Sequence, residues 1–363
     1  MTHGILNLRR DDLEFERVLR SGKILQNGEV WIALPREVAS GLFGSRALDS
    51  VIFELVRPES IIKPSSGKVF LKAIRSVHLA WTLMPGCAVL LNGFLHHWSV
   101  HWRRGFFSFL GVVFLQIAVI FLNDVEDHLR LIDLSRGLGK NGVIQKGWIS
   151  AEEVQKLGYL ALLLGSLCGL PVIFQSPSIL AWIGLAGGVG AWGYSNQPFS
   201  FKYRIVGDFF LFLLGGPLLS VGLSQAIFGF FDISVVMIGL YFGLTVIAMS
   251  HAHHLQDLEI DRIYGIRTWA GTLGFKKSRV FLGFLYSMAF LCVSIPTLLG
   301  VFPVSVFLFC SLGLWGVIRL MRRVCIVSGP ASALLGSIRT ESSQLYFRLG
   351  LALCVGLGVG FWV

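Results

Sequence analysis

Acidic side chains are concentrated at two places after residue 67. Twelve Asp and Glu residues follow that position, and nine of them form two groups: Asp124, Glu126, Asp127, Asp133, Glu152 and Glu153, and then Asp257, Glu259 and Asp261. Asn123 and Asp127 are four residues apart, as are Asp257 and Asp261, so on helices each pair shares one face. Like charges at this spacing repel each other, whereas a divalent cation bound between them would turn repulsion into attraction.

Carboxylates in this pattern can bind magnesium and a diphosphate. Mg²⁺ usually takes one or two carboxylates from the protein, and substrate phosphates complete its shell. Two acid-bearing helices that face each other would hold two metal ions and neutralise the charge that develops as a diphosphate leaves. Interleaved basic residues could bind the outer phosphate oxygens. On spacing alone, two solvated charged loops explain the acids equally well.

The composition indicates that these acids belong to an integral membrane protein. Apolar residues make up 54% of the 363 residues, charged residues 14%, and the mean hydropathy is +0.70. Soluble domains carry roughly 25% charged residues, so soluble, disordered and fibrous classes are excluded. The basic residues do not cluster on one soluble face, so nucleic acid is not an expected partner. Six dispersed cysteines without a CxxC pair indicate neither a zinc site nor a disulfide framework.

Nine apolar stretches each have the length, about 17–25 residues, that crosses a bilayer as a helix. They are residues 76–95, 105–123, 157–175, 178–195, 207–224, 232–253, 279–299, 301–320 and 344–363. The sequence therefore predicts an all-α integral membrane protein with nine transmembrane helices. The two acid groups follow the second and the sixth stretch.

Basic residues predict how these helices are oriented. Loops after the second, fourth, sixth and eighth stretch carry 17 Lys and Arg residues, whereas loops on the opposite face carry only Arg103 and Arg104. Positively charged loops stay in the cytoplasm. We therefore expect a multi-pass protein of the cell inner or plasma membrane, with its N-terminus and both acid groups on the cytoplasmic side.

Residues 1–67 form a polar N-terminal extension of the membrane domain at 68–363. The extension contains nine basic and nine acidic residues. Residues 29–34 and 50–56 are typical of strands, and residues 64–67 of a linker. No secretory signal is expected, because the first 23 residues are charged throughout. The extension carries no chemical motif, so the sequence assigns it no role and no protein partner.

The acid groups and their surroundings resemble the UbiA superfamily of membrane prenyltransferases. Residues 123–127 with Asp133 resemble its first aspartate-rich motif, residues 147–150 its Gly-x-Ile-Ser segment, and residues 257–262 its second motif, which continues to Gly274. The resemblance covers about residues 68–363. It implies a nine-helix bundle around a central cavity, and Mg²⁺-dependent transfer of a prenyl group from an isoprenyl diphosphate to an acceptor.

Within the superfamily, the chain is most similar to the branch that prenylates a dihydroxynaphthoate on the menaquinone pathway. The position of Asp133, the run from Tyr194 through Pro198 and Tyr203 to Asp208, and the pair Arg75 and Pro85 match that branch. The resemblance thus implies a polyprenyl diphosphate and an aromatic acceptor as partners. Other acceptors of the superfamily stay open, namely 4-hydroxybenzoate, homogentisate, haem and a sugar phosphate, as do the prenyl length and decarboxylation.

Three residues beside the second motif depart from this branch. His253 and His254 stand where it usually has Asn residues, and Gln256 stands where Arg is usual. Gly142 also occupies a position that is often basic, although Lys140 and Lys146 are nearby. These departures bear on the identity of the acceptor more than on the diphosphate chemistry.

The resemblance implies a role for each matched residue. Asp124, Asp127, Asp257 and Asp261 are the catalytic acids. One Mg²⁺ would be bound by Asn123, Asp124, Asp127 and Asp133, and the other by Asp257 and Asp261. The diphosphate would be bound by Arg75, Lys140, Lys202 and Arg262. The substrate cavity would be lined by Trp192, Tyr194, Tyr203 and His254, although for any one aromatic residue plain helix packing is the more ordinary explanation.

The histidines and the acids are also compatible with two other function classes. Histidines lie in two groups, at residues 96–101 and 251–254, and membrane di-iron oxygenases use such clusters; here the predicted topology puts the groups on opposite faces. A transporter is the non-enzyme alternative, since acids within membranes mark ion pathways. These acids lie at helix ends on one face, and no inverted repeat with broken helices is evident.

Overall fold

Helices account for most of the chain in a computed structural model, which describes residues 4–39, 50–135, 142–175, 178–330 and 332–362. In chain order the helices are α1 (Phe15–Ser21), α2 (Ser66–Ala73), α3 (Ala80–Leu95), α4 (Trp102–Leu129), α5 (Ile132–Ser135), α6 (Ala151–Ile173), α7 (Ser178–Gly193), α8 (Gly207–Gly215), α9 (Pro217–Phe228), α10 (Ile233–Gln256), α11 (Leu258–Ile263), α12 (Trp269–Leu298), α13 (Val304–Ile326) and α14 (Ile338–Gly360).

Seven helical segments of the described chain are long and apolar enough to cross a membrane. They are Trp102–Leu129, Ala151–Ile173, Gly207–Phe228, Ile233–Gln256, Trp269–Leu298, Val304–Ile326 and Leu335–Gly360. Helices α3 and α7 coincide with the other two predicted stretches but are shorter, at 16 residues each. The prediction of a mostly helical integral membrane protein is thus confirmed, whereas the count of nine transmembrane helices stays a prediction.

The chain divides into two compact units. One contains Met1–Ser76 and Ile117–Ala161, and the other contains Val77–Gln116 and Leu162–Val363. The extension at 1–67, whose boundary stays a prediction, is thus grouped with the end of α4, the segment that follows it and the start of α6. The first acid group belongs to the first unit and the second acid group to the second unit.

The first unit contains a four-stranded antiparallel sheet in the order β1-β4-β3-β2. Its strands are β1 (Gly4–Arg9), β2 (Lys23–Gln26), β3 (Glu29–Ala39) and β4 (Ser50–Val56), so both predicted strand segments are confirmed. Asn27 and Gly28 join β2 to β3 with positive φ values of 52° and 80°. Such values are the backbone requirement of a two-residue hairpin turn whose twist matches the strands.

Helix α10 forms the centre of the second unit. In its most apolar stretch 67% of the residues are buried, the largest share among the seven candidate spans of the described chain. Ile238, Phe242 and Ala252 are fully buried there and share one apolar core with residues of α12 and α14. Because α10 is packed against other helices, its C-terminal end is held in place. The second acid group begins at that end.

The fifth predicted stretch is broken into α8 and α9 at Gly216. Pro217 follows, and proline cannot donate the hydrogen bond that would continue a helix. A Cβ atom at Gly216 would lie 2.4 Å from the carbonyl oxygen of Gly239 and 2.4 Å from the amide nitrogen of Gly243 on α10. Glycine is therefore required where the break meets α10, because any side chain would collide with backbone.

Candidate functional site

The first acid group lies on the last turns of α4. The Asn123 amide donates to Asp127 Oδ2 over 3.4 Å, so the two side chains share one helical face as their spacing predicts. Asp127 is only 5% exposed. Arg75 donates to Asp124 Oδ1 over 2.6 Å and thereby brings a predicted diphosphate-binding residue to a predicted metal-binding residue. The helix continues six residues beyond the predicted end at 123, so these acids are helical.

Asp133 is positioned separately, on the short helix α5. Between α4 and α5 the chain turns at Leu131, which has a left-handed φ of 63°. Gln145 Nε2 donates to Asp133 Oδ2 over 3.2 Å, and Gln145 is itself buried. The side chain of Asp133 is thus oriented by a hydrogen bond from the segment around Gln145, which carries no acidic residue.

The second acid group lies where α10 ends and α11 begins. Asp257 is the residue between the two helices, and the backbone N–H of Asp261 donates to its carbonyl oxygen over 2.8 Å. The two side chains are 6% and 2% exposed. Two nearly buried carboxylates four residues apart are costly unless cations or hydrogen-bond donors surround them.

His254 supplies one such donor and connects Asp261 with a third buried acid. Its Nδ1 donates to Asp261 Oδ2 over 3.0 Å, and its Nε2 lies 3.6 Å from Asp208 Oδ1. Asp208 also accepts from the backbone N–H of Trp269, the first residue of α12, over 3.3 Å. Hydrogen bonds of this kind fix the orientation of a carboxylate that binds a metal.

Arg339, on the first turn of α14, supplies a hydrogen-bond donor to Asp257. Its guanidinium donates to Asp257 Oδ2, and its backbone N–H donates to Gln256 Oε1 over 3.1 Å. His253 Nε2 donates to the carbonyl oxygen of Arg339 over 3.1 Å. Two of the residues that depart from the expected pattern, His253 and Gln256, therefore bind the turn that brings an arginine to Asp257.

The remaining predicted residues have varied surroundings. Lys202 Nζ lies 5.4 Å from the centroid of the Tyr203 ring, and Tyr203 is buried. Arg262 is exposed on α11, and Lys140 lies outside the described residues. Trp192 packs edge-on against Phe199 with centroids 5.9 Å apart. The carbonyl oxygen of Tyr194 accepts from the backbone N–H of Lys202 over 2.8 Å.

Lys146 is accompanied by a second lysine. Its Nζ lies 4.9 Å from the centroid of the Trp148 ring, and the Nζ of Lys72 lies 5.0 Å from the same centroid. Burial and the nearby Lys146 ammonium lower the pKa of Lys72 from its usual value. Two ammonium groups thus lie near the indole ring of Trp148, which belongs to the segment resembling Gly-x-Ile-Ser.

Each acid group has its own basic partner, and its side chains offer the oxygen ligands that magnesium binds. Within the described residues no three His, Cys, Asp or Glu side chains are gathered into a preformed metal site. Mg²⁺ needs only one or two carboxylates when phosphates supply further oxygens, and each acid group offers hard oxygen ligands. The residues present therefore fit a magnesium diphosphate better than a metal bound by protein alone.

Sequence reasoning missed Gln145 and Arg339. They contact acids that are 12 and 82 residues away in the chain, so no local spacing reveals them. Asp208 was noticed only as part of the run that resembles the menaquinone branch, not as a partner of His254. For Gln145, its place two residues before a matched glycine was the only signal available.

A comparison with protein families agrees with the two acid motifs. The sequence profile described as "UbiA prenyltransferase family" matches residues 79–335. The chain belongs to the UbiA prenyltransferase family. The predicted enzyme class is thus confirmed at the level of the family. This match includes both acid groups but leaves out residues 1–78.

Curated relatives of this family member include two octaprenyltransferases. The 1,4-dihydroxy-2-naphthoate octaprenyltransferase of Haemophilus influenzae is 30% identical over 190 residues, which are 50% of this chain and 61% of the relative. The enzyme of the same name from Bacillus subtilis is 23% identical over 241 residues, covering 64% and 74%. The match thus spans only about three-fifths of the Haemophilus relative.

Two solved structures share the fold. A digeranylgeranylglyceryl phosphate synthase superposes with a TM-score of 0.59 at 19% identity, covering 80% of this chain and 98% of the other. A UbiA homologue from Archaeoglobus fulgidus, bound to GPP and Mg²⁺, gives a TM-score of 0.54 at 14% identity, covering 79% and 99%. At these identities the likeness concerns the fold.

Proposed function

We propose that this protein transfers a prenyl group from a polyprenyl diphosphate to a dihydroxynaphthoate, in the biosynthesis of a menaquinone-type quinone. The observation that carries the proposal is the pair of acid groups at the ends of α4 and α10, in a member of a prenyltransferase family. The Haemophilus and Bacillus relatives, both named for this acceptor, support its choice. The menaquinone-branch features at Asp133 and Tyr194–Asp208 point the same way.

In this proposal Asn123, Asp124, Asp127 and Asp133 bind one Mg²⁺, and Asp257 and Asp261 bind the other. Bound magnesium would neutralise charge on the departing diphosphate. The diphosphate oxygens are contacted by Arg75, Lys140, Lys202 and Arg262. We include Arg339 among the diphosphate-binding residues because it pairs with Asp257. Arg75 and Arg339 orient Asp124 and Asp257, and His254 orients Asp261. A UbiA homologue described as bound to GPP and Mg²⁺ supports the choice of magnesium and a prenyl diphosphate as the ligands.

The transfer exchanges one bond for another. The bond between the allylic carbon and the diphosphate oxygen breaks, a bond forms from that carbon to an aromatic carbon, and the ring releases a proton or its carboxylate as CO₂. The prenyl chain lies in an apolar tunnel, where Trp192, Tyr194 and Tyr203 contribute aromatic walls. Aromatic faces stabilise an adjacent cation.

The membrane arrangement belongs to the same proposal. Nine transmembrane helices, with α3 and α7 as the two shorter ones, surround the cavity. The N-terminus, both acid groups and the 17 loop cations lie on the cytoplasmic side of the inner or plasma membrane. Polyprenyl diphosphate enters from the bilayer, and the polar acceptor enters from the cytoplasm.

The decisive experiment offers the purified protein several acceptors in parallel. Prenyl diphosphates of different lengths are added with Mg²⁺ and 1,4-dihydroxy-2-naphthoate, 4-hydroxybenzoate or homogentisate, and products are identified by mass spectrometry. We expect the prenylated naphthoate and stoichiometric diphosphate. Preference for another acceptor would show that the acceptor is wrong but the reaction type is right. Absence of diphosphate release with every acceptor would contradict the proposal and favour a transporter.

A further inference from the structure

The N-terminal sheet encloses the turn between Asp127 and Asp133. Leu131 is fully buried in the same core as Val18 and Phe53, and it has a left-handed φ of 63°. A leucine rarely adopts that backbone conformation, because its Cβ collides with the following carbonyl. Since the side chain fills a core built by strands β1–β4 and helix α1, the sheet holds this turn in place.

A series of hydrogen bonds continues from the extension to Asp133. His128 Nε2 donates to the carbonyl oxygen of Leu19, in α1, over 3.0 Å. A carbonyl only accepts, so the proton lies on Nε2 and His128 Nδ1 accepts from Gln145 Nε2, over 3.4 Å. Gln145 Nε2 also donates to Asp133 Oδ2 over 3.2 Å. His128 and Gln145 are each 3% exposed, so no solvent loosens the series.

The segment that carries Gln145 is seated on strand β3. Gly147 has a φ of 68°, and a Cβ atom there would lie 2.8 Å from Leu34 Cδ2 and 3.0 Å from Ile61 Cδ1. A side chain at this position would have to displace the Leu34 and Ile61 side chains and would be strained by the positive φ. The close approach therefore sets the position of Gln145 relative to the extension.

We propose that the N-terminal extension is a clamp for the first acid group, and that Gln145 is the positioning residue through which it orients Asp133. The inference rests on the proposed function, because it concerns an acid assigned there to magnesium. It gives a role to residues 4–39 and 50–56, which lie outside the part matched by the family profile. Outer-shell hydrogen bonds to metal ligands typically change metal affinity 10–100-fold.

The test replaces Gln145 in the full-length protein. Gln145→Met keeps the side-chain length and removes both N–H donors, so Asp133 loses its orientation while the core stays filled. Gln26→Met, on the exposed edge strand β2, is the matched control. We measure Mn²⁺ binding by electron paramagnetic resonance in the presence of inorganic pyrophosphate, the Mg²⁺ dependence of prenyl transfer, and the melting temperature.

We expect Gln145→Met to weaken Mn²⁺ binding about tenfold and to raise the Mg²⁺ concentration for half-maximal rate by the same factor, with a moderate fall in melting temperature because two buried hydrogen bonds are lost. Leu131→Ala should produce the same metal shift together with a larger fall in melting temperature, because it leaves a cavity in the core. Mn²⁺ binding within twofold of wild type in Gln145→Met would overturn the clamp. A wild-type protein that transfers no prenyl group would instead contradict the proposed function, which separates the two failures.

Discussion

Five acidic side chains of the proposed site each have a hydrogen-bond donor on another residue: Asn123 on Asp127, Arg75 on Asp124, Gln145 on Asp133, His254 on Asp261 and Arg339 on Asp257. The acids were predictable, because their spacing and clustering are local properties of the chain. Of the donors, only Asn123 was identified as sharing a face with its acid, since it is one helical turn away. The others come from neighbouring elements, and their contacts depend on packing.

Replacing one buried carboxylate should slow catalysis strongly. Asp261→Asn preserves the shape of a side chain that is 2% exposed but removes its charge. We expect prenyl transfer to fall on the order of a hundredfold or more, because a lost metal ligand is worth several kcal/mol at the transition state. Steady-state rates at saturating Mg²⁺, with binding of pyrophosphate and Mn²⁺ as a second measurement, check this expectation.

The matched control for this change is Asp232→Asn. Asp232 caps α10 at its other end, where its side chain accepts from the backbone N–H of Val235 over 3.2 Å. Asparagine caps helices as well as aspartate does, so activity should stay near wild type. Near-normal activity in Asp261→Asn would show that this acid does not take part in the reaction.

Helix ends differ from the ends of apolar stretches for a physical reason. The sixth helix was predicted to end at 253, and α10 continues to Gln256. The seventh was predicted to begin at 279, and α12 begins at Trp269 with a kink at Gly274, where φ is 74° and ψ is 164°. Hydropathy reports which residues meet lipid, whereas helices end where caps satisfy their backbone groups. Thr268 provides such a cap, because its side chain accepts from the backbone N–H of Gly271 over 3.0 Å.

The contact between α14 and the end of α10 should contribute to stability and to catalysis. Arg339→Ala removes a charge-assisted hydrogen bond to an acid that is 6% exposed, a loss of about 2 kcal/mol. We expect a lower melting temperature and weaker binding of pyrophosphate with Mg²⁺. Arg339→Lys should recover part of both, because it restores the charge without the planar guanidinium.

Arg323→Ala is the control for this element. Arg323 pairs with Glu341 on the same α14, but 44% of its side chain is exposed, and such pairs contribute about 0–1 kcal/mol. Its melting temperature and pyrophosphate affinity should stay close to wild type. Equal effects of the two alanine substitutions would indicate a general weakening of α14 rather than a contact specific to Asp257.

The close approach of α9 to α10 leaves no room for a side chain at Gly239. A Cβ atom there would lie 2.8 Å from the Cα of Pro217, which is backbone and cannot rotate away. We expect Gly239→Ala to destabilise the protein by about 1–3 kcal/mol through overpacking, as measured by thermal unfolding in detergent. Gly169→Ala, whose Cβ would meet nothing within 4 Å, should leave the melting temperature unchanged or raise it.

At the scale of the whole molecule, the charge distribution predicts the orientation in the membrane. Ser99 and Ser328 are exposed, and the predicted topology puts them on opposite faces. In a variant whose native cysteines are replaced by serine, Ser99→Cys should react with an impermeant maleimide in intact cells. Ser328→Cys should react only after the membrane is permeabilised. The reverse pattern would invert the topology, and labelling of both in intact cells would contradict it.

The sequence by itself determined the membrane class, the family, the order of the apolar helices and the acids, because composition, hydropathy and short spacings are local. It also located two strands of the extension. Only the tertiary structure decided which donors hold each acid, that α8 and α9 are broken where they meet α10, and that the extension encloses the turn at Leu131. Those features depend on packing between residues far apart in the chain, and an unaligned sequence carries no signal for such contacts.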